Sequence, residues 1–198
     1  MREKDIRMFI TSRIPWIRSK LEKFETLEKE PARDFVDGEE HYYEGRPYQL
    51  RIEDGGRKSG VELEGRFLTL FLKPGADRMK RRKVLNLWYR ERLKEKVPVI
   101  ISRYEEMMNV RVREFGIKQM KTRWGTCNTT ASRIWINLEL AKRSPECLEY
   151  LVVHEMCHLL ERRHDKRFYS FMTEYLPAWK EYKHELNRFP LGNTDHYA

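Results

Sequence analysis

The sequence predicts an α+β fold from three observations. Apolar residues recur at helical spacing near the N-terminus and again from 84 to 108. They alternate with period two between 40 and 72, and two further strand-like runs lie between helical segments in the second half. With 198 residues and 40% apolar content, the chain can bury one sizeable core. No internal repeat or low-complexity linker divides it. Residues 1–30 are expected to be an N-terminal helical extension and residues 31–198 the domain proper.

Ile6, Phe9, Ile10, Ile14, Ile17, Leu21 and Phe24 mark a helix over 3–28, and Pro15 predicts a broken or two-part helix laid along the body. HYYEGRPY reads as a strand and tight turn. Tyr48, Leu50 and Ile52 then alternate in YQLRIE, and VELE and FLTLFL flank Gly65. With DGGRKSG at 54–60 as a turn, this predicts a small antiparallel meander. Val84, Leu85, Trp88, Leu93, Val97, Ile101, Tyr104 and Met108 predict a long helix covering the sheet, kinked at Pro98. The basic run MKRRK at 79–83 is expected on its solvated face.

VRVREFGI at 110–117 and RIWINLEL at 133–140 read as strands separated by the polar loop MKTRWGTCNTTAS. Ser144, Pro145 and Glu146 supply the cap and first turn of the next helix. Phe168, Phe171, Met172, Tyr175 and Leu176 predict an amphipathic helix ended or bent by Pro177.

Forty basic against 31 acidic residues give a net charge of +9, which favours contact with nucleic acid, nucleotides or an acidic partner. No nucleic-acid-binding motif accompanies the charge. The apolar runs are too short for a membrane span, and MREKDIRMFITSR is too charged for a secretory signal. Cys127, Cys147 and Cys157 form no disulfide framework and suit free thiols, so a cytoplasmic location is expected. Oligomeric state is left open.

The stretch HEMCHLLERRHDKRFY at 154–169 carries the chemistry. Residues four apart on a helix share a face, which places His154 and His158 side by side. Glu155 projects about 100° further round, out of ligand position but within reach of a metal-bound water. This is the H-E-x-x-H arrangement, in which a zinc ion acidifies water and the glutamate takes its proton. His164 supplies a third imidazole, leaving one zinc position open. It falls where the helix should have ended, because Arg162, Arg163 and Asp165 are polar and apolar periodicity restarts at Phe168. The competing reading is a structural zinc with Cys127 as fourth ligand, Cys157 being a small core residue. His41, His184 and His196 read as surface or packing residues.

FVDGEEHYYEGRPYQLRI at 35–52, KTRWGTC at 121–127, IWINLEL at 134–140 and LVVHEMCHLLERRHDKRFY at 151–169 resemble the YgjP-like metallopeptidase-domain proteins, relatives of the SprT-like and WLM zinc peptidases. The resemblance covers roughly 35–188 and leaves the N-terminal helix outside. It implies a zincin-like domain in which His154, His158 and His164 bind zinc and Glu155 is the catalytic base. The histidine spacing is also similar to that of metzincins, but Glu161 stands where they have a glycine and no Met-turn is identifiable.

A zinc-dependent hydrolase is thus expected, foremost a metallopeptidase acting on a peptide or protein lying against the exposed strand RIWINLEL. Arg123 or Lys121 is the candidate oxyanion stabiliser, and Tyr169 follows His164 closely enough to approach the site. An alternative is a nucleotide pyrophosphatase in which Lys121 and Arg123 hold phosphates. A third is a DNA-associated or partner-binding protein with a structural zinc.

Overall fold

The alternating segment between 40 and 72 folds into a four-stranded sheet in the computed structural model, which describes residues 3–26, 33–55, 58–188 and 191. Strands β1 (Glu40–Tyr43) and β2 (Arg46–Asp54) form an antiparallel hairpin. Its connecting residues Glu44 and Gly45 both have positive φ, 51° and 74°, the geometry a two-residue hairpin requires. The turn is docked on the segment leading to the histidine helix: Glu44 N donates to Ala141 O at 3.0 Å and Gly45 N to Lys142 O at 3.2 Å.

β3 (Gly60–Glu64) and β4 (Phe67–Leu72) form a second hairpin. The sheet order is β1-β2-β4-β3, however, with β2 parallel to β4, so the expected antiparallel meander is corrected to a mixed sheet. The residue pattern gives the reason. FLTLFL is apolar except for Thr69 and buries Leu68, Leu70 and Leu72 as a central strand, whereas the acidic GVELE suits an edge.

Helix α2 (Arg78–Met108) is capped by Asp77, which accepts from Lys80 N, and ends at Asn109 in the left-handed region. It runs as one element through Pro98 and buries Leu85, Tyr89, Leu93, Val97, Ile101 and Tyr104. Within MKRRK, Met79, Lys80 and Lys83 are exposed. Arg81 instead turns back to donate to Ala76 O and Phe35 O, and neighbouring Arg78 donates to Arg33 O.

The second sheet has the order β5-β7-β6, with β5 (Glu114–Lys118), β6 (Gly125–Asn128) and β7 (Arg133–Asn137). Two expectations are corrected here. The polar loop contains strand β6, and RIWINLEL is the central rather than an exposed strand, leaving the sheet after Asn137 for a 3-10 turn at Leu138–Lys142. The edge is β6.

Helices α3 (Pro145–Cys157), α4 (Lys166–Tyr175) and α5 (Trp179–Asn187) close the fold. Ser144 caps α3 by accepting from Cys147 N, with Pro145 at its first turn. Residue periodicity had not marked α5, whose buried residues are only Trp179 and Leu186 among charged neighbours. α1 (Glu3–Thr26) is one helix through Pro15. It is neither broken nor laid along the body: its described side chains, including Ile6, Phe9, Ile10 and Ile17, are exposed. Among the described residues, no helix is long and apolar enough to cross a membrane.

Candidate metal centre

α3 is apolar over most of its surface because it lies in the core, with Leu151, Val152, Val153, Met156 and Cys157 all buried. The side bearing His154 and His158 opens to a cavity. His158 ends the helix, and the chain turns back so that His164, just before the Asp165 cap of α4, returns to the same place. No residue of this turn has a positive φ, so the turn imposes no glycine and Glu161 fits without strain.

One ligand atom from each of His154, His158 and His164 falls within 4.8 Å of the others, and the Nε2 atoms of His154 and His164 are 3.1 Å apart. A tetrahedral zinc held at about 2.0–2.1 Å separates its nitrogen ligands by roughly 3.3 Å, so this donor set fits one such ion. His158 Nδ1 lies 3.2 Å from Glu161 O, which assigns its proton to Nδ1 and leaves Nε2 as the lone-pair donor. Fully buried Phe168 braces the group, its ring centroid 5.0, 4.8 and 4.6 Å from those of His154, His158 and His164.

Burial, reinforced by the other two imidazoles, pulls His154 down to about 3. Burial lowers His158 and His164 as well. Three neutral imidazoles at neutral pH are what a divalent ion of borderline softness requires.

Glu155 faces the second sheet from the same turn of α3. It is 4% exposed, and burial pushes its carboxyl up to about 8 against the opposing pull of Arg123. Its neighbour across the cavity is Gly125, the first residue of β6. A Cβ there would lie 2.7 Å from Glu155 Oε1 and 3.0 Å from its Cγ, so only glycine leaves room for this carboxylate.

The segment before β6 is fixed by Asn137, which is fully buried. Its amide donates to Met120 O at 2.9 Å and Arg123 O at 2.7 Å, while its oxygen accepts from Met120 N and Glu139 N, both at 3.3 Å. Asn137 N also donates to Trp124 O at 2.9 Å.

The resulting cavity has a volume of about 450 Å³ and joins the three histidines and Glu155 to Arg123, the β6 residues Gly125 to Cys127, and Arg162. Of the residues expected at the site, Arg123 is therefore present, but Lys121 is exposed and outside the lining. Tyr169 also lies outside it. Its ring stacks on Trp179 at 5.3 Å and faces His164 at 6.4 Å, so it packs behind the third imidazole.

Cys127 is on the cavity wall yet outside the histidine cluster, and burial, with Glu155 beside it, pushes its thiol up to about 11. A structural zinc thus gains no fourth ligand in this cluster among the described residues. Cys157 is a buried core residue, and Cys147 is also buried and free. His41 is buried beside Glu39 and Phe35, His184 stands outside the cluster, and His196 lies outside the described residues.

Sequence reasoning missed Gly125, Asn137 and Arg162. The tripeptide Trp124-Gly125-Thr126 offered a signal for the first only as a conspicuous glycine. The other two depend on contacts between distant segments.

A family model described as "YgjP-like, metallopeptidase domain" matches residues 1–189, taking in the N-terminal helix as well as the histidine segment. Among solved structures, the metallopeptidase zymogens abylysin of Pyrococcus abyssi and jannalysin of Methanocaldococcus jannaschii are similar, at 16% and 17% identity and TM-scores of 0.43 and 0.42. Each alignment covers 46% of this chain, and 90% and 94% of those chains respectively. No curated protein matches.

Proposed function

The chain belongs to the YgjP-like metallopeptidase-domain family, and from that premise we propose that it is a zinc-dependent peptidase with Glu155 as general base. The observation that carries the reading is the conjunction of three neutral imidazoles around one point with a single buried carboxyl beside them. Zinc held by His154, His158 and His164 would supply Lewis acidity, acidifying water and polarising a carbonyl.

The chain's own groups account for the rest. Glu155 accepts a proton from the attacking water and returns it to the departing amine. Arg123 enters the cavity beside it and is the donor for a developing oxyanion. A peptide is held by the free edge of β6, where Gly125–Asn128 can pair with an extended backbone.

The test combines elemental analysis of protein purified without added metal with cleavage of a mixed peptide library. We expect about one zinc per chain in wild type, a large loss of metal in His164→Ala, and metal retention without cleavage in Glu155→Gln. A Glu155→Gln protein that kept both its metal and its hydrolytic rate would overturn the assignment of the base. A wild type that cleaved no peptide but released phosphate or pyrophosphate from nucleoside triphosphates would replace the peptidase reading with a phosphohydrolase.

A further inference from the structure

The cavity contains one carboxylate and two guanidinium groups drawn from separate parts of the chain. Arg123 enters just before β6, and Arg162 from the turn between the second and third histidines. Neither forms an ion pair with a carboxylate among the described residues, although Arg123 is near enough to Glu155 to pull on its carboxyl and Arg162 lines the same cavity. Lys183 adds positive potential from behind, close enough to His154 and His164 to lower both. Its ammonium lies over the rings of Tyr169 and Trp179, at 5.7 and 5.5 Å.

The carboxylates near this turn are already committed. Glu161 faces Arg167 at 4.0 Å and accepts from Arg163 N, and Asp165 accepts from Arg167 N and Phe168 N. Arg123 has a role toward the reacting carbonyl in the proposed reaction, which leaves Arg162 without a task. A guanidinium presents its donors in a fixed fork matched to a carboxylate.

Resting on the peptidase reading above, we propose that this site selects peptides carrying a carboxylate next to the scissile bond, with Arg162 as the residue that recognises it. The carboxylate is either an Asp or Glu side chain or a free C-terminus. The same field disfavours Lys and Arg at that position, since they would add positive charge beside Arg162 and the metal site.

The experiment measures equilibrium binding of fluorescent peptides to metal-loaded Glu155→Gln protein, so that its outcome does not depend on turnover. Matched peptides carry Glu, Gln or Lys at one position, each with a free or an amidated C-terminus. We expect the order Glu, then Gln, then Lys. Arg162→Ala should reduce the preference for Glu over Gln by roughly 5- to 30-fold, and Arg162→Lys should retain part of it. If amidation weakens binding while Glu-to-Gln exchange does not, the recognised carboxylate is the C-terminus.

Equal binding of all four Glu and Gln peptides, whether the C-terminus is free or amidated, or a carboxylate preference unchanged in Arg162→Ala, would overturn the proposal. So would displacement of every peptide by a nucleoside triphosphate binding more tightly than the acidic peptide, which would assign Arg162 to phosphate. Absence of cleavage by wild type, by contrast, would refute the peptidase reading while the peptide-binding order still decided the role of Arg162.

Discussion

At Gly125, a single missing methyl group decides where the Glu155 carboxylate can stand. Glu155 is the group that must yield if a side chain is added, because the clash is with its Oε1, Cγ and Cδ rather than with backbone. Gly125→Ala is therefore expected to fold and keep its metal while peptide cleavage falls by roughly 10- to 100-fold, reflecting a misplaced base. Metal analysis and kcat measured on the same preparation check this; full activity would show that the carboxylate has another productive position. Asn137→Ala should behave oppositely. It leaves the carbonyls of Met120 and Arg123 without the donor that buried Asn137 supplies, and a loss of about 2–4 kcal/mol in stability is expected from denaturant unfolding. Wild-type stability in that variant would mean that water or a shifted loop replaces the amide.

Among the elements, α1 and β6 depart furthest from what their residue patterns imply. α1 has a convincing apolar stripe, yet Phe9 and Ile10 are 58% and 53% exposed, so the stripe adds little to the described core. Ile10→Glu is accordingly expected to change stability by less than about 0.5 kcal/mol, whereas a residue packed on the body would lose several times that. A drop of more than about 2 kcal/mol in urea unfolding would show that α1 docks on something in solution. β6 has the reverse history. Its Gly-Thr-Cys-Asn sequence carries no strand signature, and it becomes a strand because β7 supplies a pairing edge, Asn137 holds the preceding segment, and α3 packs nearby.

At the scale of the whole molecule, the metal-free protein should carry a characteristic pH dependence. Glu155 titrates near 8 in the folded protein against about 4.5 when unfolded, so its contribution is full below 4.5 and is lost as pH rises towards 8. His154 works in the other direction. It is held at about 3 against 6.5, so the unfolded chain binds the extra proton and stability falls as pH drops from 6.5 towards 3. Metal-free protein should therefore be most stable in mildly acidic solution. Glu155→Gln should abolish most of the decline between pH 6 and 8.5, a difference on the order of 2–4 kcal/mol, measurable by chemical denaturation at each pH. Parallel curves for the two proteins would show that the Glu155 carboxyl is solvated or paired in solution.

The sequence by itself determined what depends on near neighbours in the chain. Helical spacing put His154 and His158 on one face, Ser144 and Pro145 started that helix, the polar run around Arg162 ended it before His164, and Glu44-Gly45 set a hairpin turn. The α+β class followed from the same periodicities. What only tertiary structure decided was which segments meet. The insertion of β4 between β2 and β3, the edge position of β6, the proximity of Gly125 to Glu155, the grip of Asn137 on the Arg123 segment and the entry of Arg162 into the cavity all join residues distant in sequence. The physical reason is that periodicity records which face of an element is buried, whereas its partner is chosen by the competition of all apolar surfaces and unpaired backbone edges for the same core.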